Sequence, residues 1–179
     1  MVNKQELIQL VNQYPTNDHH KQQILAFLHE NEDFWTKGNS AGQITAACWV
    51  VNKTLTKALM THHKKLDRWL QIGGHLEAED ENIVDSCIRE LKEESGLTQF
   101  NLLQPEVFDL DVHHIPASAK GVPAHIHYDI RMLFEADEQE TIQFDQDESN
   151  NIVWMNLAEI EALNDESISR MVRKTNLLS

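Results

Sequence analysis

The sequence is short of cysteine, proline and basic side chains. Its 179 residues include two cysteines and four prolines, and 15 Lys and Arg against 29 Asp and Glu give a net charge of −14. A chain of this length buries an adequate core without disulfides, so we expect one domain of ordinary size with a short extension. Cys48 and Cys87 lie in apolar stripes of predicted elements, which favours reduced core residues over a disulfide, a zinc site or a nucleophile.

The lack of positive charge also limits the partners. A strongly acidic chain is disfavoured as a ligand of nucleic acid polymers or anionic membranes. No apolar run approaches the length of a membrane span, and the polar first six residues do not resemble a secretory signal, so we expect a cytoplasmic protein. A small phosphorylated metabolite or nucleotide remains compatible, because it can arrive with its cation or meet a local basic patch.

The first 41 residues are predicted to form a helical extension. Leu7, Ile8 and Val11 recur at helical spacing until Pro15, and Asp18 is a plausible N-cap for a second helix. The extension could pack on the core, pack against a second subunit in a homodimer, or form a lid over an active site. Residues 42–179 are assigned to the main domain.

Alternation of β-branched or aromatic residues with polar ones predicts the strands of that domain. The predicted strands are residues 44–51, 57–71, 106–115, 125–134 and 152–155. Asp165 is expected to cap a terminal helix. Strands with helices before, between and after them predict an α/β fold, an α/β/α sandwich with a mixed sheet.

Residues 73–97 carry the clearest functional signal. Gly73 and Gly74 are predicted to form a turn that leads from a strand into a helix, which ends with the sequence Arg-Glu-Leu-Lys-Glu-Glu-Ser-Gly-Leu. The helical repeat places Glu90, Glu93 and Glu94 on one stripe, and Gly96 is expected to cap the helix end. A separate apolar stripe is formed by Val84, Cys87, Ile88 and Leu91.

The three carboxylates allow two interpretations. Carboxylates about 5 Å apart repel by roughly 3 kcal/mol at an effective dielectric near 20, a cost that a bound divalent cation would reverse. On an exposed helix the repulsion falls to a few tenths of a kcal/mol. Charge spacing alone therefore leaves open either a cation site or a solvated acidic face balanced by Arg89 and Lys92.

The whole pattern, Gly-Gly-x-x-Glu followed by Arg-Glu-x-x-Glu-Glu-x-Gly-aliphatic, resembles the signature box of the Nudix hydrolases. The resemblance covers about residues 42–163 and implies the Nudix α/β/α layout. It implies that Glu90, Glu93 and Glu94 bind Mg²⁺ or Mn²⁺ and that Arg89 orients them through hydrogen bonds. Gly74 is included in the expected metal site.

The implied activity is hydrolysis of a phosphoanhydride bond in a nucleoside diphosphate linked to another group. The implied general base is Glu93 or Glu148, the latter in a loop outside the box. The alternative is a nucleotide-sensing or interaction module that uses the fold without chemistry. The intact set of glutamates favours the enzyme.

The box departs from the family pattern in one respect, because the spacing from Gly74 to Arg89 is one residue too long. Counting forward from Gly74 makes Asp80 the first acidic position, and counting back from Arg89 makes it Glu81. We favour Glu81 as the carboxylate that steadies the arginine.

Three further residues are candidates for substrate binding: Arg68, His75 and Arg131. Arg68 ends a basic stretch of residues 62–68 that either contacts phosphate or protects an edge strand. Arg131 either pairs with an acidic neighbour or reaches a phosphate. Four histidines, at positions 113, 114, 125 and 127, form either a second metal site or a hydrogen-bonded polar wall.

Overall fold

The structure is a computed structural model and describes residues 1–117, 121–144 and 149–178. Five helices are α1 (Lys4–Gln13), α2 (His19–Glu30), α3 (Ile83–Ser95), α4 (Leu157–Glu161) and α5 (Glu166–Asn176). Eight strands are β1 (Gln43–Asn52), β2 (Lys57–His63), β3 (Arg68–Leu70), β4 (Ile72–His75), β5 (Phe100–Leu102), β6 (Asp109–Ile115), β7 (His125–Ala136) and β8 (Ser149–Asn156).

The strands form one mixed sheet with the order β3-β2-β1-β7-β5. Three further strands pair with members of this order: β4 with β1, β6 with β7, and β8 with β2. The chain forms two compact units, and β1, β4, α3 and β7 contribute residues to both.

The first unit consists of Met1–Ala47, Gly74–Cys87 and Pro105–Met132. Asp18 caps α2 as predicted, because its side chain accepts the N–H of Lys21 at 3.0 Å. The ring of Phe27 on α2 stacks on Tyr128 of β7 with centroids 4.2 Å apart. Of the three roles expected for the extension, packing on the core is therefore the one this unit displays.

The second unit consists of Cys48–Gly73, Ile88–Gln104 and Leu133–Ser179, of which the structure describes the residues named above. In this unit β2 pairs antiparallel with β1, β3 and β8. Asp165 caps α5 as predicted, and the indole N–H of Trp49 donates to Thr175 Oγ1 at 2.8 Å. That hydrogen bond attaches the terminal helix to the buried strand β1.

The structure corrects two expectations from the sequence and confirms a third. The single strand predicted over residues 57–71 is a hairpin of β2 and β3, whose turn contains Asp67 at φ +49°. Gly73 and Gly74 lie in strand β4 and not in a turn, which instead follows the strand. Both cysteines are reduced and buried, as predicted.

No helix within the described ranges has the length and apolarity that a membrane crossing requires.

Candidate active site

Helix α3 has defined signals at both ends. The Asn82 side chain accepts the N–H groups of Val84 at 2.9 Å and Asp85 at 3.1 Å, which satisfies donors of the first turn. At the other end Gly96 adopts φ +70° and donates its N–H to Lys92 O at 2.9 Å, which confirms the predicted glycine cap. The helix and its acidic stripe are therefore fixed in register.

The buried face of α3 is rotated slightly from the predicted stripe. Ile83, Cys87 and Leu91 are buried, whereas Val84 and Ile88 are only half-buried. Two small polar side chains, Ser86 and Ser95, fill the rest of the buried face. The glutamates of interest therefore lie beside this face, in positions that range from mostly buried to exposed.

Arg89 contacts two of the predicted metal ligands. Its Nη1 donates to Glu90 Oε1 at 2.8 Å and to Glu93 Oε2 at 3.3 Å. The side chains of Arg89 and Glu90 are 18% and 14% exposed, whereas that of Glu93 is 60% exposed. Glu90 is thus held in place, and Glu93 has room to change rotamer.

The third predicted ligand is tied to strand β4. Glu94 Oε1 accepts the backbone N–H of Gly73 at 3.1 Å. We call Arg89, Glu90, Glu93 and Glu94 the helix cluster. It contains one guanidinium and three carboxylates, so the formal charge is 1 − 3 = −2.

Oxygen donors of this kind suit a hard cation such as Mg²⁺, which usually takes one or two carboxylates together with substrate phosphates and water. Within residues 1–117, 121–144 and 149–178, no three His, Cys, Asp or Glu side chains are already gathered closely enough to hold a metal ion. The donor chemistry of the helix cluster fits the cation, and Glu93 is the side chain free to move toward it.

The segment between β4 and α3 contains the two candidates for the first acidic position. Asp80 is buried and accepts hydrogen bonds from Glu77 N–H at 2.8 Å and Ser86 Oγ at 2.7 Å. Glu81 is exposed. Asp80 therefore braces the turn onto the start of the helix, and the choice between Asp80 and Glu81 as support for the arginine stays a prediction.

Arg131 lies among aspartates in the first unit. Its Nη1 donates to Asp109 at 3.0 Å and its Nη2 to Asp111 at 3.1 Å, and Nε lies 3.5 Å from Asp129. All four side chains are almost fully buried. We call these four residues the strand cluster. Of the two expectations for Arg131, pairing with acidic neighbours is the arrangement observed.

Asp109 and Asp111 were not identified from the sequence. The strand register places Asp109 opposite Arg131 and Asp111 opposite Asp129. Residues two apart on a strand share a face, so alternate acidic residues 109 and 111 were a usable signal. The signal becomes specific only when the register of β6 against β7 is known.

Three histidine rings flank the ring of His127 in the first unit. The ring of His127 lies 5.3 Å from His75, 5.6 Å from His113 and 5.0 Å from His125, measured between centroids. Burial lowers the pKa of His127 to about 3, and neighbouring imidazoles add to the shift while Asp129 opposes it. Burial also acts to lower the pKa of His113, but Asp111 and Asp129 outweigh it and raise that pKa.

Two other predicted site residues are placed differently. Arg68 is exposed on β3, at the end of the strand order, so the basic stretch does border an edge strand. Glu148 lies outside the described residues. Phosphate contact by Arg68 and a role for Glu148 stay predictions.

The NUDIX domain sequence model matches residues 41–174. A Nudix-family hydrolase from Clostridium perfringens is structurally similar, with a TM-score of 0.58, 22% identity, and coverage of 76% of this chain and 97% of the other. The Ap4A hydrolase of C. elegans, as a binary complex, has a TM-score of 0.59 and 18% identity, with coverage of 75% of this chain and 96% of the other. The dihydroneopterin triphosphate pyrophosphohydrolase of E. coli has a TM-score of 0.58 and 16% identity, with coverage of 82% of this chain and 100% of the other. Among curated protein sequences, none is significantly similar to this chain.

The sheet and the helices match those of the Nudix structures, which confirms the predicted α/β/α fold. Because the matched region spans most of the sequence, this chain belongs to the Nudix family. It is accordingly a hydrolase that acts on phosphoanhydrides, as the sequence predicted.

Proposed function

We propose that the chain hydrolyses a phosphoanhydride bond in a nucleoside diphosphate linked to another group, with Mg²⁺ or Mn²⁺ as the cofactor. The observation that carries this proposal is the helix cluster, in which Arg89 holds Glu90 at 2.8 Å and Gly73 N–H holds Glu94 at 3.1 Å. Two of the three carboxylates are thus pre-oriented on a capped helix, which reduces the cost of organising them around a cation and its substrate.

A bound divalent ion would neutralise charge on the phosphate oxygens and make a water molecule more acidic. The protein's own contributions follow from its geometry. Glu90 and Glu94 would hold the ion in a fixed place, and Arg89 would keep Glu90 oriented. Glu93, the exposed member, is the candidate general base, since it can reach a water and accept its proton. Glu148 remains the alternative base, and Gly74, Arg68 and His75 remain candidate contacts.

The experiment compares Glu93→Gln and Glu94→Gln with wild type on a panel of linked nucleoside diphosphates, in the presence of Mg²⁺ or Mn²⁺. Loss of one metal ligand or of the base should lower kcat/KM by about 100-fold or more, with the fold unchanged by circular dichroism. Glu6→Gln is the matched control, because Glu6 is an exposed glutamate on another helix. It should retain wild-type activity.

Product analysis in ¹⁸O-labelled water would locate the attacked phosphorus and so define the leaving group. Full activity in both Glu93→Gln and Glu94→Gln would contradict the assignment of these residues. Nucleotide binding without turnover by the wild type would contradict hydrolysis and support a sensing module instead.

A further inference from the structure

The proposed hydrolysis gives no role to His125 and His127, two neighbouring imidazoles of the first unit. Their Nε2 atoms lie 3.1 Å apart on strand β7. His125 is buried, and the neighbouring Gln43 is fully buried. Polar groups buried this tightly normally resolve into a hydrogen-bond network in which each donor meets an acceptor.

The partners of His125 determine where its proton lies. Its Nδ1 is 2.8 Å from the carbonyl oxygen of Pro123, which can only accept. Nδ1 must therefore carry the hydrogen. In the neutral ring Nε2 is then the atom with the lone pair, and it points toward His127.

The partners of Gln43 determine the state of His127 in the same way. The Oε1 atom of Gln43 accepts the N–H of Gly38 at 3.1 Å, which orients the side-chain amide. Its Nε2 atom, a donor, lies 2.8 Å from His127 Nε2 and 3.5 Å from His125 Nε2. His127 Nε2 must therefore accept, and so it too presents a lone pair.

These assignments leave two imidazole lone pairs facing each other at 3.1 Å with no hydrogen between them. The other tautomer of His127 would satisfy His125 but would set an N–H against the amide N–H of Gln43. In the neutral state the two N–H groups of the Gln43 amide, 2.8 and 3.5 Å away, are the donors that these lone pairs share. A cation between the two rings would bind both lone pairs directly.

We infer that His125 and His127, completed by His75 or His113, bind one divalent transition-metal ion of the zinc, nickel or copper class. Imidazole nitrogens bind such ions at about 2.0–2.1 Å, so nitrogens 3.1 Å apart subtend an angle of about 100° at the metal. That angle lies between square and tetrahedral geometry. Imidazole donors also select against Mg²⁺, which separates this site from the helix cluster.

A third ligand requires movement, because the described residues hold no ready group of three metal-binding side chains. The rings of His75 and His113 flank His127 with centroids 5.3 and 5.6 Å away, a separation that side-chain rotation can reduce.

The test is calorimetric titration of the purified full chain with Zn²⁺, using wild type, His125→Gln, His127→Gln and the control His114→Gln. His114 is an exposed histidine on β6, between His113, which pairs with His127, and Ile115, which pairs with His125. Wild type and His114→Gln should bind one Zn²⁺ per chain. The other two variants should bind it at least 10-fold more weakly.

Two further measurements separate Zn²⁺ binding from hydrolysis and from misfolding of a variant. Zn²⁺ binding should persist in Glu93→Gln, so loss of hydrolysis in that variant would not affect this result. X-ray absorption of Zn²⁺-loaded wild type should show nitrogen ligands at about 2.0–2.1 Å, even if a histidine variant fails to fold. Oxygen-only coordination, unchanged binding in both histidine variants, or no binding by wild type would overturn the inference.

Discussion

The helix cluster and the strand cluster each contain one arginine and three carboxylates. In the strand cluster all four residues are buried, and the arginine distributes three nitrogens over three aspartates. In the helix cluster a single nitrogen of Arg89 is shared by Glu90 and Glu93, and Glu93 is largely exposed. The two clusters thus have the same formal charge but differ in burial and in how their arginine contacts the carboxylates.

The difference shows how burial divides charged groups between stability and chemistry. The aspartates of the strand cluster have further polar neighbours, since the Tyr14 hydroxyl donates to Asp109 at 3.4 Å and His20 lies 3.6 Å from Asp111. Such a network is costly to disturb, because removing one partner leaves a buried charge uncompensated. The helix cluster keeps exposed carboxylate oxygens, which remain able to meet a cation.

The largest expected effect is on the strand cluster. Arg131→Met should lower the free energy of unfolding by about 3–5 kcal/mol, because three buried aspartates lose their cation. Urea denaturation measures this. The matched control is Arg173→Met, since Arg173 is about half exposed and pairs with Glu161 and Glu166 on the surface. The control should cost less than about 1 kcal/mol. A similar loss in both variants would show that burial does not decide how much an arginine ion pair contributes to stability.

Neutralising one carboxylate in each cluster should also have unequal effects on stability. Asp109→Asn should cost about 1.5–3 kcal/mol of unfolding free energy, because a buried carboxylate loses charge-assisted hydrogen bonds. Glu93→Gln without metal should stay within about 0.5 kcal/mol, since the lost pair with Arg89 is offset by reduced repulsion. Urea denaturation with EDTA present tests both. Equal losses would mean that the helix cluster is structural.

The helix cluster was predictable because its signals are local. The helical repeat aligns Glu90, Glu93 and Glu94, and Gly96 marks the helix end within the same short segment. The strand cluster was only half predictable, since Arg131 was expected to pair but its partners depend on a strand register that the sequence does not encode locally.

Local chemistry also explains the two errors in the fold. The β2–β3 turn contains no glycine or proline, and the left-handed position is taken by Asp67, so the pattern favoured one continuous strand. Gly73 and Gly74 indicated a turn, but glycine also occurs in strands where backbone and other groups come close. Here the N–H of Gly73 meets Glu94.

Among the effects on stability, that of Arg89 is also small, and it separates positioning from stability within the helix cluster. Arg89→Gln should raise the Mg²⁺ concentration needed for half-maximal kcat/KM about 10- to 100-fold, because Glu90 and Glu93 lose the group that orients them. Unfolding free energy should change by less than about 1 kcal/mol, since the pairs are partly exposed.

The readout is kcat/KM as a function of Mg²⁺ concentration. Lys92→Gln is the control, because Lys92 is exposed on the same helix and should leave that curve unchanged. If the two variants gave identical curves, Arg89 would be a surface charge and would not organise the ligands.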